Sequence, residues 1–346
     1  PPPEPQTSGP VRLDAAGLEI SNLLRSRIGH DFSGYKNKTF MRRVQRRMQV
    51  NQVDSIDTYI ELLKQAPQEA GALFRDLLIS VTNFFRDADA FDSLQRLVIP
   101  KLLEGRGAAE SVRIWVPGCA TGEEVYSLAI LLREHMDGMP SAPQVQLFAT
   151  DIDDRALAVA RAARYPGQLL EGLSQERRER HFFADGDGYV VNKQVRELCI
   201  FSPHSVLRDP PFSRIDLISC RNLLIYLGGE VQKQVIPTFH YSLRPGGYLF
   251  LGMSENVSQF GELFSPVEKK HRIFQRRTDV AAPPRPALPL ASLQTRGQPR
   301  SGVTRAPTGT AALRQAVDTQ VLSQHAPAHV LVNRDGDIVY LSLIHI

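Results

Sequence analysis

WVPGCATGEEVYS, residues 115–127, closes an apolar run, breaks into small residues, and then sets two adjacent carboxylates at the start of a helical pattern. In open α/β sheets ligands bind beyond the carboxyl ends of the strands, and the backbone comes nearest at a strand-to-helix turn of this kind. A dinucleotide site would use G-x-G-x-x-G there. This turn offers only Gly118 and Gly122, and Glu123 and Glu124 would repel a pyrophosphate. Outward from it, strand-like runs at 112–116, 145–149, 215–219 and 248–252 alternate with helical segments as far as Arg277. That alternation predicts a doubly wound parallel sheet in an α/β domain.

Two carboxylates at this turn suit a ligand with an amino group and a sulfonium, as S-adenosylmethionine has. At the next strand end, VQLFATDID (145–153) places Asp151 where a carboxylate can accept both ribose hydroxyls. Taken singly, the acids are equally well read as complements to a helix N-terminus, and Asp151 as an N-cap. Taken together, two strand ends favour a nucleoside with a cationic tail.

The chain has 346 residues, 42% of them hydrophobic, enough for two domains or a little more. Its net charge of +4 fits an acidic partner and many ordinary enzymes alike. Cys119, Cys199 and Cys220 lie far apart without a Cys-x-x-Cys pair, so the reading is a reduced, cytoplasmic protein with no metal. None of the histidines sits in a metal or general-base motif. No apolar run approaches the roughly 18 residues of a membrane span.

The predicted organisation is a linker over 1–10, a helical N-terminal domain over 11–88, and the α/β domain over 89–277. A disordered linker follows over 278–310, and a further domain begins over 311–346. In the helical part, Leu18, Leu23, Leu24 and Ile28 are expected to share one face, Phe40, Val44 and Met48 a second, and Tyr59, Leu62 and Leu63 a third. PPPEPQTSGP at the start reads as the tail of a linker. The end, DGDIVYLSLIHI, reads as half a hairpin around an Asp-Gly turn, so the expectation is a piece of a longer protein.

YKNKTFMRRVQRRM (35–48), SVTNFFRD (80–87), PGCATGEEVYSLAI (117–130), ATDID (149–153), SCRNLLIYL (219–227) and LRPGGYLFLGMSEN (243–256) occur in one order along the chain. That order and spacing resemble the bacterial chemotaxis receptor methyltransferases, the CheR family, from about Asp14 to Arg277. The TNFFR and CRNLLIY motifs are specific to that family; LRPGGYL is shared by many S-adenosylmethionine enzymes. The resemblance implies a Rossmann-like S-adenosylmethionine-dependent methyltransferase domain with a small β-hairpin insertion at about 165–200, preceded by an all-helical domain. It implies methyl transfer to glutamate side chains on chemoreceptor cytoplasmic helices, with S-adenosylhomocysteine as product. Nucleic acid is not an expected partner, nor is direct membrane insertion.

By the same resemblance, Thr82 and Arg86 reach the cofactor site, with Arg86 near the point of methyl transfer. Glu124 holds the amino group of the methionine portion, Asp151 the ribose, and Gly118 gives the cofactor room. Arg221 and Asn222 line the pocket, and Tyr226 faces the methyl. Ser205 and Val206 occupy places where the family commonly has Asn-Leu, which shortens the reach toward adenine or ribose. Lys38, Arg42, Arg43, Arg46 and Arg47, in a run without an intervening acid, form the expected receptor-docking surface. The tail, residues 325–342, resembles the opening hairpin of PAS sensor domains, which implies fusion to further signalling domains.

Three other readings compete with this one. An NAD-dependent oxidoreductase lacks its third glycine and a hydride-transfer constellation. A nucleic-acid methyltransferase is echoed by DPPF at 209–212, but that signature belongs after the fourth strand, where this chain has CRNL. A non-catalytic S-adenosylmethionine-binding regulatory module keeps the fold without the reaction. In the reaction itself, a glutamate with an ordinary pKa of about 4.3 arrives ionised, so no general base is required.

Overall fold

The structure, a computed structural model, describes residues 10–78, 81–278, 330–332 and 338–341. Helices α1 (Pro10–Ile28), α2 (Asn37–Val50), α3 (Ile56–Gln65) and α4 (Pro67–Leu77) pack around Ile20, Leu24, Phe40, Val44, Tyr59, Leu63 and Leu73. Local chemistry sets their ends: the Ser55 hydroxyl accepts from the Thr58 amide, and Pro67 occupies the first turn of α4. The expected inner face of α1 needs correction at one residue. The buried stripe is Ala16, Ile20 and Leu24, spaced four apart, whereas Leu18 is 56% exposed. Residue 18 stands two positions off that stripe, about 200° around the helix, and so points outward.

Helices α5 (Ala88–Leu97) and α6 (Ile99–Leu103) lie beyond this bundle and contribute Phe91, Leu94, Val98 and Leu102 to the core of the α/β domain. There follow β1 (Ser111–Pro117), α7 (Glu123–Met136), β2 (Gln144–Asp151), α8 (Asp154–Ala162), β3 (Arg164–Pro166), α9 (Gln175–His181), β4 (Phe182–Asp185), β5 (Gly188–Val191), α10 (Lys193–Arg196) and β6 (Cys199–Pro203). The domain finishes with β7 (Ile215–Cys220), α11 (Gly229–Ser242), β8 (Leu243–Leu251), β9 (Phe264–Glu268) and β10 (Ile273–Arg276).

The main sheet has seven strands in the order β6-β2-β1-β7-β8-β10-β9. Its first five are parallel, and β10 and β9 add antiparallel at one edge, so the sheet is mixed. Strand β7 is buried at every residue, as a central parallel strand covered on both faces should be. Strand order reverses between β1 and β7, and the crevice at that reversal is where α/β sheets place ligands.

The insertion is larger than a hairpin. Strands β3, β5 and β4 form a three-stranded antiparallel sheet in that order, with α9 between β3 and β4. Phe84 anchors it to the main body, meeting Tyr165 and Phe182 edge-on at 5.0 and 5.3 Å.

Residues 330–332 and 338–341 pair antiparallel as a separate two-stranded sheet, β11 and β12. The linker expected beyond residue 278 lies outside the described residues.

Candidate functional site

The turn after β1 alternates left-handed backbone, with φ of +69° at Gly118, +46° at Ala120 and +94° at Gly122. A Cβ on Gly122 would stand 2.9 Å from that of Ala160, so only glycine lets α7 start so close to α8. Asp151 holds this turn from the end of β2. One of its carboxylate oxygens accepts from the Ala120 amide at 2.8 Å and the other from the Asp153 amide at 3.0 Å. Each oxygen keeps a further lone pair, so a ribose diol would share this carboxylate with the loop. Burial pushes the Asp151 pKa up, and the backbone amides offset only part of that rise.

The two glutamates at the start of α7 separate in role. Glu123 is buried and takes the Thr121 hydroxyl at 2.7 Å, which points it into the domain. Glu124 accepts from the Ser219 hydroxyl at 2.7 Å and lies 3.8 Å from Arg221 Nη1. Arg221 follows β7 and is buried against two rings, its Cζ 5.0 Å from the Phe91 centroid and 4.7 Å from that of Phe250. Its Nη2 donates to Asp87 at 2.7 Å, while Nε and Nη1 have no hydrogen-bond partner among the described residues. A buried guanidinium with spare donors beside a carboxylate is a pairing element for the two charged ends of an amino acid. Burial raises the Glu124 pKa, and the Arg221 and Arg86 charges pull it back down.

The segment before α5 supplies the third wall. Phe85 and Asp87 adopt φ of +49° and +58°, unusual for such residues. The strain is held by the Phe85 amide, which donates to the Ser127 hydroxyl at 2.9 Å, and by burial of both Phe84 and Phe85. Thr82 and Arg86 are half-buried here, and Arg86 donates to the Val81 carbonyl at 3.0 Å. Across the crevice, the His204 amide donates to the Asp151 carbonyl at 3.0 Å, bringing Ser205 and Val206 alongside. Asp209 holds the Ser205 amide at 2.7 Å, and Val206 packs with the cluster around Trp115.

Sequence reasoning missed Glu255. Its carboxylate, 4% exposed, accepts from the amides of Gly252 at 2.7 Å, Asn222 at 2.9 Å and Ile225 at 3.2 Å. These bonds fix Asn222, itself at φ +61°, and the 3-10 turn Leu224–Tyr226 that carries Tyr226. The available signal was an acid four residues past the last parallel strand. Tyr226 is half-buried, and its carbonyl accepts from the Lys36 amide at 2.9 Å.

On α2, Lys38, Arg42 and Arg46 are exposed and fall four residues apart along one stripe. Arg43 is half-buried. Arg47 requires correction as a docking residue: it grips Glu69 with Nε at 2.9 Å and Nη2 at 2.6 Å, and only 16% of its side chain is exposed. The run has no acid within it, but α4 folds one against it.

Among the described residues, no group of three or more His, Cys, Asp and Glu is placed to hold a metal ion, and no helix is long and apolar enough to cross a membrane. Residues 80–273 match the CheR methyltransferase SAM-binding domain and residues 18–78 the CheR methyltransferase all-alpha domain. This chain belongs to the CheR methyltransferase family. Its relatives include a Rhodobacter capsulatus protein described as an uncharacterized 104.1 kDa protein, 40% identical over 73% of this chain and 27% of that one. A chemotaxis protein methyltransferase of Listeria monocytogenes is 31% identical over 71% of this chain and 91% of its own length. Chemotaxis protein methyltransferase 1 of Pseudomonas aeruginosa is 33% identical over 62% of this chain and 82% of its own. The CheR chain therefore spans about a quarter of the first relative and most of the other two.

Proposed function

We propose that this CheR chain transfers a methyl group from S-adenosylmethionine to glutamate side chains on the cytoplasmic helices of chemoreceptors, acting in the cytoplasm. The observation that carries the reading is the convergence of Asp151, Glu124 and Arg221 at the sheet's reversal point, beside Tyr226 and Arg86. The residues fit the cofactor. Arg221 has buried donors to spare for a carboxylate, Glu124 can take an ammonium, Asp151 keeps lone pairs for a diol, and Gly118 and Gly122 clear the turn.

When bound, S-adenosylmethionine supplies an electrophilic methyl on sulfonium sulfur. The chain's own work is alignment. Negative and positive charges cancel as such a bond forms, so a fixed charge that held the ground-state carboxylate tightly would slow transfer. Arg86 and Tyr226 are assigned the orientation of the acceptor carboxylate, with proximity and exclusion of water lowering the barrier. Lys38, Arg42 and Arg46 are assigned receptor docking, because an acidic methylation helix is steered by a cationic stripe.

The test is transfer of labelled methyl to a chemoreceptor cytoplasmic fragment, with base-labile ester formation as readout. Binding of S-adenosylhomocysteine without transfer would replace this reading with a non-catalytic binding module.

A further inference from the structure

The loop between α1 and α2 is built to present one side chain. Ser21 accepts from the Phe32 amide at 3.2 Å, Asp31 accepts from the Ser33 amide at 2.8 Å, and the Tyr35 amide closes a turn onto the Phe32 carbonyl at 2.9 Å. On either side of Tyr35 the loop is bonded to the catalytic domain: Lys36 N–H donates to Tyr226 O at 2.9 Å, and Gly228 N–H donates to Gly34 O at 2.8 Å. Tyr35 thus forms an antiparallel bridge with Leu227. Its ring meets Phe32 edge-on at 4.8 Å and packs against the cores of both domains.

Such scaffolding fixes where the phenol lies. Burial, the Asp151 carboxylate and the Tyr226 phenol all push the Tyr35 pKa up, so its hydroxyl stays protonated and lies within the electrostatic reach of both groups. Among the described residues, none hydrogen-bonds to that hydroxyl. A half-buried phenol with an unspent donor, on a loop bridged by backbone to the turn that carries Tyr226, is a binding group.

We propose that the Tyr35 hydroxyl is a cofactor-binding group contributed by the helical domain, hydrogen-bonding the ribose hydroxyls of the adenosyl ligand alongside Asp151. The proposal rests on the S-adenosylmethionine reading above and deepens it. It makes the nucleoside a link between the two domains, so cofactor occupancy and the seating of α2 reinforce each other.

Tyr35→Phe keeps the ring, its packing and the backbone bridge, so the unliganded melting temperature should stay put. The dissociation constant for S-adenosylhomocysteine, measured by calorimetry on the full chain, should rise about 5- to 10-fold, the worth of one hydrogen bond. A 2′,3′-dideoxy analogue of the ligand should bind parent and variant equally, because the partner hydroxyls are gone. Equal affinity of parent and variant for S-adenosylhomocysteine overturns the assignment, as does a difference that persists undiminished with the dideoxy analogue. Failure of the parent to bind S-adenosylhomocysteine overturns the underlying reading, and the proposal with it.

Discussion

The Lys36 amide donates to the Tyr226 carbonyl at 2.9 Å, fastening the residue that precedes the basic helix α2 to the residue assigned to the methyl-transfer point. The proposed docking surface and the proposed reaction centre would therefore be joined through backbone, without a side chain between them. Backbone hydrogen bonds of this kind do not depend on rotamers, so displacement of α2 by a receptor would be felt at Tyr226.

Gly34 tests that clasp. A Cβ there would fall 2.5 Å from Val231 Cγ2, so Gly34→Ala should force the two loops apart and cost about 1–3 kcal/mol. Methyl transfer should fall with it. Val231→Ala in the same chain should restore both the melting temperature and the rate; a double variant no better than Gly34→Ala would show that the clash is not what Gly34 avoids.

Asp151→Ala removes the acceptor for two backbone amides as well as the proposed ribose contact. Unliganded stability should drop by about 1–3 kcal/mol, and affinity for S-adenosylhomocysteine by a further few kcal/mol. Calorimetry that finds affinity unchanged, despite the lower melting temperature, would reduce Asp151 to a loop strut.

Glu255→Ala leaves three amides without their shared acceptor, at a cost of about 2–4 kcal/mol in urea unfolding. Because those amides shape the Tyr226 turn, turnover should fall further than cofactor affinity. A variant with normal turnover would sever Glu255 from the site.

Much of this was legible because the central strands carry strong signals. IDLISC is buried throughout and β1 nearly so, and each ends in a turn of small or polar residues. The edge strands were not. FSPVE and IFQR are short and only partly buried, and their pairing with each other and of IFQR with β8 is reported by no local pattern. The same limit explains Arg47 and Glu255, whose partners come from other elements. Tyr35 stood in a recognised motif, but its direction is set by Ser21, Asp31 and Phe32 around a loop.

The Arg177–Glu134 pair gives a pH dependence with a definite sign. Burial alone would raise the Glu134 carboxyl, but His181 at 3.4 Å and the two-pronged Arg177 contact at 2.8 and 2.9 Å hold it down at about 2. A depressed folded-state pKa stabilises above the ordinary carboxylate range and is lost as pH falls toward 2. Glu134→Gln should thus destabilise by about 2–3 kcal/mol at pH 7, with the gap narrowing below about pH 4.5. Glu123 runs the other way: burial raises its pKa, so Glu123→Gln should gain on the parent as pH climbs through the carboxylate range. Melting curves of both variants between pH 4 and 8 decide the two signs.

The cationic stripe separates docking from folding by position. Arg42 and Arg46 are exposed, so reversing both to Glu should leave the melting temperature and S-adenosylhomocysteine affinity near the parent's. It should raise the Michaelis constant for a receptor fragment several-fold. The difference should shrink at high salt, because the Debye length is only about 8 Å at physiological ionic strength and shorter above it. Arg47→Glu is a different perturbation. It sets a third carboxylate against Glu69 and Asp76, and Glu69 is also bonded to the Tyr59 hydroxyl at 2.8 Å inside the helical core. Breaking that pair should cost on the order of 3–5 kcal/mol and unfold the helical domain before any question of docking arises. If the Arg42→Glu/Arg46→Glu chain methylates receptor as the parent does at both low and high salt, the stripe is only a solvated face and receptor must be held elsewhere.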